Sequence, residues 1–445
     1  MPVSPARSAA FDILLRVVQQ RSFGAELLHS ERCAELSPSD KGLTTELVMG
    51  VLRWQPALDS AIAKWSSQKI AKLDPEVLIA LRLGAYQLGW LDRIPLHAAI
   101  HESVELVKYA RKRSAASFAN AVLRRLSVVK EKIKPALIES ASDAMSMASL
   151  SAHPHWIVER WISKFRFEIA RMICQHDQSI PVTTIRLRDR AAEEQLRKEG
   201  VTLGSGLWLT NARRVLGGDV TATNTYKENL VAIQDEASQL VAALVGSGER
   251  ILDCCAAPGG KSWAIADRNP HSLLLAAEVH GHRANLLKKR VAAPNIRVIN
   301  ADACQLPINA QFERVLVDAP CSGTGTLARN PEIKWRLSRD DIADLRSRQA
   351  SILKSAMERV EVDGRLIYAT CSLEQEEGED VIEEALRDNA AFGIVSMDSV
   401  LNQLSDQGEL ALSNIQSMIH GDFLRTIPGV HQCDGFFAAV LERIR

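Results

Sequence analysis

The 445-residue sequence holds no run of eighteen apolar residues, so no transmembrane helix is expected. Its eight cysteines include no C-x-x-C pair and follow no framework spacing. That argues against a structural zinc site, or any bound metal, and against a disulfide scaffold; a reducing, cytoplasmic setting is expected. Cys254 and Cys255 are adjacent, which is poor geometry for a shared metal or a disulfide. The stretch Met1-Pro2-Val3-Ser4-Pro5-Ala6-Arg7 lacks the long apolar core of a signal peptide. Internal repeats and low-complexity tracts are absent too. So is net charge: 54 Lys and Arg balance 54 Asp and Glu.

The balance hides an asymmetry. Residues 1–135 carry 20 basic and 13 acidic side chains, a net of +7, and the remaining 310 residues carry −7. Lys108, Arg111, Lys112, Arg113, Arg124 and Arg125 form a basic cluster. Such a cluster fits a phosphate backbone, and it fits a solvated helix face equally well. Charge alone does not separate the two.

The length implies two to three domains, and a hydrophobic content of 46% supports sizeable cores. From Ser4 to about Lys130 the apolar spacing is helical, as in Ala10–Val18 and Val77–Leu88. Ser37-Pro38-Ser39-Asp40 reads as a helix start, while Leu73-Asp74-Pro75 and Ile94-Pro95-Leu96 read as breaks. This predicts an all-helical domain over 1–135. Residues 131–150 read as a linker. A small α/β domain is expected over 150–230, with a helix at Trp156–Trp161 and an alternating strand at Pro181–Arg188. From 231 to 445 strands and helices alternate. Strand candidates are Arg250–Cys254, Leu273–Glu278, Ile296–Asn300, Arg314–Asp318, Arg365–Thr370 and Phe436–Leu441. Their near-continuous apolar runs suit a mostly parallel, doubly wound sheet of Rossmann-like type.

The first of these strands runs into Ala256-Ala257-Pro258-Gly259-Gly260-Lys261, which opens a helix. Glycines allow close backbone approach to a ligand there. Eighteen residues past Gly260 the second strand ends in Glu278, suited to ribose hydroxyls, and the third leads to Asp302 at the rim of an adenine pocket. A P-loop would need glycine six residues before Lys261, where Cys255 stands, and G-x-G-x-x-G is absent. An ATPase and a dehydrogenase are therefore disfavoured, and an S-adenosylmethionine pocket fits better.

Cys321 and Cys371 each follow a strand end, in Asp318-Ala-Pro-Cys and Ala369-Thr-Cys-Ser. In a doubly wound order both thiols line the cofactor's edge of the sheet, with Asp318 between. The bland reading, a buried small hydrophobe, accounts for one such cysteine better than for two. Methylating an exocyclic amine needs no thiol. Methylating pyrimidine C5 does, because a thiolate must first add at C6. Asp318 is placed to select cytosine through its amine or N3, and Lys261 to lower a thiol pKa or assist proton movement. Which cysteine attacks is open on these grounds.

The runs Asp253-x-Cys255-Ala-Ala-Pro-Gly-Gly-Lys261, Asp318-Ala-Pro-Cys321-Ser-Gly-Thr-Gly325, Asn330-Pro-Glu-Ile-Lys-Trp335 and Ala369-Thr-Cys371-Ser372 closely resemble the Nop/Sun family of RNA cytosine-5 methyltransferases over about residues 230–445. The first 130 residues resemble a NusB-type RNA-binding domain. The combination implies a bacterial enzyme that methylates 16S ribosomal RNA, at the cytosine conventionally numbered 967. The resemblance also implies that Cys371 is the nucleophile and that Cys321 serves product release. It places the cofactor on Cys255, Ala256, Ala257, Pro258, Gly259, Gly260, Lys261, Glu278, Asp302 and Asp318. Three positions depart from the family pattern: Glu278 for Asp, Gly323 for Ala, and Gly378 where Asn is common. The rivals are a non-catalytic RNA-binding factor and an exocyclic-amine methyltransferase.

Overall fold

The computed structural model describes residues 3–291, 293–411 and 415–445. Met1 and Pro2, at the start of the amino-terminal stretch discussed above, lie outside them. Two compact units emerge from the contacts. The first joins residues 1–180 to the segment Leu327–Arg336, and the second joins 181–326 to 337–445.

The first unit is helical. Helices Pro5–Gln20, Pro38–Trp65 and Pro75–Trp90 each begin with proline, whose missing N–H costs nothing in a first turn. Ser37 caps the second of these, its Oγ accepting from the Asp40 amide at 3.2 Å. Helices Leu96–Tyr109 and Ala116–Val128 complete the bundle. Its core includes Phe11, Leu14, Leu47, Leu58, Ile62, Leu81 and Leu123. The stretch 131–150 carries more structure than a linker: helix Ala144–Leu150 is closed by a capping box between Asp143 and Ser146. Helix His155–Asp177 groups with the first unit as well. Ile157, Trp161 and Ile173 are buried, and Gln178 donates from Nε2 to the Arg53 carbonyl at 3.3 Å.

The segment Leu327–Arg336 is keyed into this helical unit by hydrogen bonds. Glu332 Oε1 accepts from the Gly24 amide at 2.6 Å. Trp335 Nε1 donates to the Leu52 carbonyl at 2.7 Å, and Arg53 donates to the Ala328 carbonyl at 3.1 Å. Arg336 donates to the carbonyls of Val17 and Arg21 at 2.7 Å, satisfying orphan acceptors at the end of helix Pro5–Gln20. The Asn330–Trp335 motif therefore works within the helical unit, far in sequence from its partners.

The described strands of the second unit are, in chain order, β1 (Thr184–Leu187), β2 (Thr202–Ser205), β3 (Ala212–Gly217), β4 (Val231–Ile233), β5 (Arg250–Asp253), β6 (Leu273–Glu278), β7 (Ile296–Asn300), β8 (Phe312–Asp318), β9 (Val360–Thr370), β10 (Phe392–Val395), β11 (Ile419–His420), β12 (Phe423–Thr426) and β13 (Phe436–Arg443). The first four form an antiparallel sheet in the order β2-β3-β1-β4. All four residues of β1 are buried, so its alternation in sequence does not mark a wet face.

The larger sheet runs β11-β12-β13-β9-β8-β5-β6-β7, with β10 also paired to β13. Its centre, β7-β6-β5-β8-β9, is parallel, and β13 is antiparallel to β9. Successive residues of β8 serve opposite faces. Leu316 belongs to the core that includes Leu240 and Val241 of helix Glu236–Leu244, while Val315 and Val317 belong to the core that includes Ile352 and Leu353 of helix Arg339–Met357. Covering both faces is what the apolar strand runs require. The register puts β8 directly between β5 and β9. The carboxyl ends carrying Asp253, Asp318 and Thr370 are thus neighbours. No described helix is long and apolar enough to cross a membrane.

Candidate active site

The carboxyl ends of the five parallel strands line a cavity of about 260 Å³. Its wall takes Cys254, Cys255, Ala257 and Lys261 from the segment after β5, Glu278 from β6, and Asp302 from the turn after β7. Asp318, Ala319, Pro320 and Cys321 come from β8 and its exit, and Cys371 follows β9. Of the residues assigned from sequence, Ala256, Pro258, Gly259 and Gly260 do not line it. They shape the turn instead. Gly259 has φ 107°, and a Cβ there would stand 2.5 Å from Leu287 and 2.7 Å from Val291. Only glycine combines that backbone with that closeness.

Asp253 anchors this turn from beneath. Its Oδ2 accepts from Ser262 Oγ at 2.6 Å and its Oδ1 from the Cys255 amide at 3.3 Å. Burial pushes the Asp253 carboxyl up to about 6, helped by the charge of Asp318 and opposed by the Ser262 hydrogen bond. Burial also holds the Cys254 and Cys255 thiols well above their usual range, so both stay protonated and inert. Glu278 is buried, with Oε1 fixed by the His280 amide at 2.8 Å. Asn300 straps the same corner, donating to the Glu278 carbonyl at 2.7 Å. Asp302 is exposed and caps its own turn through the Cys304 amide at 2.9 Å.

Lys261 donates from Nζ to Asp318 Oδ2 at 2.7 Å. Burial disfavours the ammonium, but Asp318 outweighs it, with Cys371 and Asp253 adding to the effect. The Lys261 pKa stands above its ordinary value and the group is charged. The lysine also lies 5.0 Å over the Phe436 ring.

The two candidate thiols meet. Cys321 Sγ is 3.3 Å from Cys371 Sγ, and both residues are half-buried. Cys321 is held well above the usual thiol range, first by its hydrogen bond to Cys371, then by burial and the negative charges of Cys371 and Glu377. Cys321 thus keeps its proton beside the other sulfur. This asymmetry depends on contacts across fifty residues and has no local sequence signal.

Sequence reasoning missed several members. Arg283 reaches the turn, donating to the Ala257 carbonyl at 3.3 Å, and Arg348 and Ile352 of helix Arg339–Met357 close the far wall. Arg283 and Arg348 stand in no motif, and only folding brings them to the site. Glu377 stands in the acidic run Glu376-Glu377-Gly378-Glu379, where nothing in the sequence sets it apart from its neighbours. Among the described residues, no group of three or more His, Cys, Asp or Glu is arranged to hold a metal.

In the first unit Arg111, Arg113, Arg124 and Arg125 are exposed and form no ion pair among the described residues. Lys108 pairs with Glu105 and Lys112 with Asp74.

A family model described as 16S rRNA methyltransferase RsmB/F matches residues 242–442, and the NusB family model matches residues 4–128. The chain is 33% identical, over all of both chains, to a probable ribosomal RNA small subunit methyltransferase B of Bacillus subtilis (strain 168). It is 32% identical to the ribosomal RNA small subunit methyltransferase B of Pseudomonas syringae pv. tomato, covering 91% of this chain and 90% of that one. The crystal structure of PH0851 is similar in fold, with TM-score 0.77 over all of both chains at 22% identity.

Proposed function

Because this chain belongs to the 16S rRNA methyltransferase RsmB/F family, we propose that it transfers a methyl group from S-adenosylmethionine to C5 of a cytosine in 16S ribosomal RNA, through a covalent bond between Cys371 and C6. The observation that carries this reading is the pair of thiols 3.3 Å apart on the wall of a cavity that also holds Glu278, Asp302 and Asp318.

The donor set fits the cofactor. Glu278 and Asp302 are carboxylates suited to hydroxyl and amine donors, and Ile352, Ala319 and Pro320 give an apolar wall. Glu278 would hold the ribose and Asp302 the adenine rim. Bound there, the cofactor supplies an electrophilic methyl group.

The chain's own residues do the rest. The Cys371 thiolate adds to C6 of the cytosine, forming a C–S bond and turning C5 into an enamine-like carbon able to take the methyl group. Asp318 accepts from the exocyclic amine or a protonated N3, and Lys261 fixes Asp318 and supplies positive charge beside Cys371. Once C5 has lost its proton to a base, the C–S bond breaks and Cys371 leaves as thiolate. Cys321, which keeps its own proton, assists this release. An amine methyltransferase has no use for such a pair.

The target base must leave its stack to reach Cys371, so a loop or helix end of the RNA is the expected substrate. Arg111, Arg113, Arg124 and Arg125, within a helical domain expected over 1–135, would bind phosphates. Of the small α/β domain expected over 150–230, helix His155–Asp177 groups with the helical unit, and the antiparallel sheet β1–β4, which groups with the catalytic domain of 231–445, would position the RNA. This is a cytoplasmic reaction requiring no metal. Bisulfite mapping of 16S rRNA from cells with and without the protein tests the assignment. One cytosine, equivalent to position 967, should lose its protection when the protein is absent. Unchanged protection throughout 16S rRNA contradicts it.

A further inference from the structure

Glu377 is fully buried in the 3₁₀ turn Gln375–Glu377, six residues after Cys371, and does not line the cavity. It nevertheless contacts both cysteine loops. Its Oε1 accepts from the Ser322 amide at 2.8 Å, and its Oε2 accepts from the Ser322 hydroxyl. Oε2 also accepts from Ser372 Oγ at 2.6 Å. Ser322 directly follows Cys321, and Ser372 directly follows Cys371. Gln349 completes the set, donating from Nε2 both to Glu377 Oε1 and to the Pro320 carbonyl at 2.9 Å. The carboxylate thus ties the two chain segments at the residues next to the two sulfurs.

A buried carboxylate is costly unless its oxygens are satisfied. Burial raises the Glu377 pKa, against the pull of the Ser322, Ser372 and Gln349 hydrogen bonds. A neutral side chain would satisfy the loops with less desolvation, so the charge needs a reason. One is available nearby, since the Glu377 charge is among the influences that keep Cys321 protonated.

We propose that Glu377 is a positioning residue of the thiol pair: by tying Ser322 to Ser372 it sets the separation and surroundings of Cys321 and Cys371. This rests on the cysteine-based reading above and assigns to it a residue outside the reacting pair. Glu377 touches neither RNA nor cofactor. Its loss should slow the chemical step without weakening the binding of either.

The test uses the full chain carrying Glu377→Gln, with Ser322→Ala/Ser372→Ala as a second variant that cuts the hydroxyl straps but spares the carboxylate. Methyl transfer, S-adenosylhomocysteine affinity and the pH profile of Cys321 alkylation, resolved by mass spectrometry, are measured. Expected in Glu377→Gln are a kcat lowered tenfold or more, KM for RNA and affinity for S-adenosylhomocysteine within about twofold, and Cys321 alkylation moved to lower pH. The serine variant should show the same fall in kcat, and it carries the test if Glu377→Gln does not fold. A kcat within twofold of wild type in both variants overturns the proposal. So does a loss that merely follows lost S-adenosylhomocysteine affinity, or an unmoved alkylation profile in Glu377→Gln. Alkylation needs no RNA, so a wrong RNA target would show as absent transfer by the wild type while the thiol readout stands.

Discussion

The Sγ atoms of Cys321 and Cys371 lie 3.3 Å apart at the ends of the neighbouring parallel strands β8 and β9. Two thiols so close do not behave alike. Cys321 is held well above the usual thiol range by its hydrogen bond to Cys371, by burial and by nearby negative charge, so it keeps its proton. The other sulfur is left beside the Lys261 ammonium, whose own charge Cys371 helps to hold.

Lys261→Met should lower methyl transfer tenfold or more and move the pH–rate profile to the alkaline side, because the cation favouring negative charge on sulfur is gone. It also leaves Asp318 without its 2.7 Å partner. A profile unmoved on the pH axis would show that Lys261 serves only to hold Asp318.

Glu278→Gln should weaken S-adenosylhomocysteine binding about tenfold or more, the loss expected when hydroxyl donors meet a neutral acceptor in place of a charged one. Calorimetric titration reads this directly. Equal affinities would move the ribose contact elsewhere on the cavity wall.

Gly378 stands where the resembling family often has asparagine. A Cβ there would come within 3.0–3.2 Å of the Phe437 ring, which is buried in the sheet core. Gly378→Asn should therefore cost about 1–3 kcal/mol, the usual range for overpacking. Urea unfolding of the two proteins gives the difference. An unchanged midpoint would mean that Phe437 yields freely.

His431 is buried, with its Nδ1 accepting from the Ile427 amide at 2.9 Å and its ring 5.7 Å from that of Trp208. Burial, aided by His420, pushes its pKa down from 6.5 to about 4. The folded state favours the neutral ring. The resulting stability is complete above pH 6.5 and is lost as pH falls towards 4, by at most about 3 kcal/mol. Asp253 runs the other way. Its folded pKa is raised to about 6, so its contribution is present at low pH and is lost as pH rises through 6. The readout is therefore the comparison with His431→Gln, which should lose less stability than wild type between pH 7 and pH 5. Equal losses would place the ring's titration at its ordinary pH.

The parallel sheet was legible because strands buried on both faces must be apolar throughout, and Leu273–Glu278 and Ile296–Asn300 coincide with β6 and β7. The breaks before Pro75 and Leu96 were legible because proline restricts the residue ahead of it. The short strands β10, β11 and β12 were not, since they take their partners from β13 or from one another. Asn330–Trp335 could be noticed as a motif, but its partners Gly24 and Leu52 lie some three hundred residues away. Glu377 was hidden for the same reason. Its acidic neighbours Glu376 and Glu379 look alike in the sequence, and only Glu377 is buried against both cysteine loops. The 3.3 Å contact between the two thiols is likewise revealed by no spacing within either strand, and their ranking comes from the family resemblance.

The most direct measurement is a denaturing gel of the Cys321→Ala protein after incubation with 16S rRNA and S-adenosylmethionine. If Cys371 bonds to C6 and Cys321 assists release, an RNA-linked protein species should accumulate and should vanish in Cys321→Ala/Cys371→Ala. If the single variant forms no adduct and still methylates at the wild-type rate, or if the adduct survives the loss of Cys371, the covalent account is contradicted.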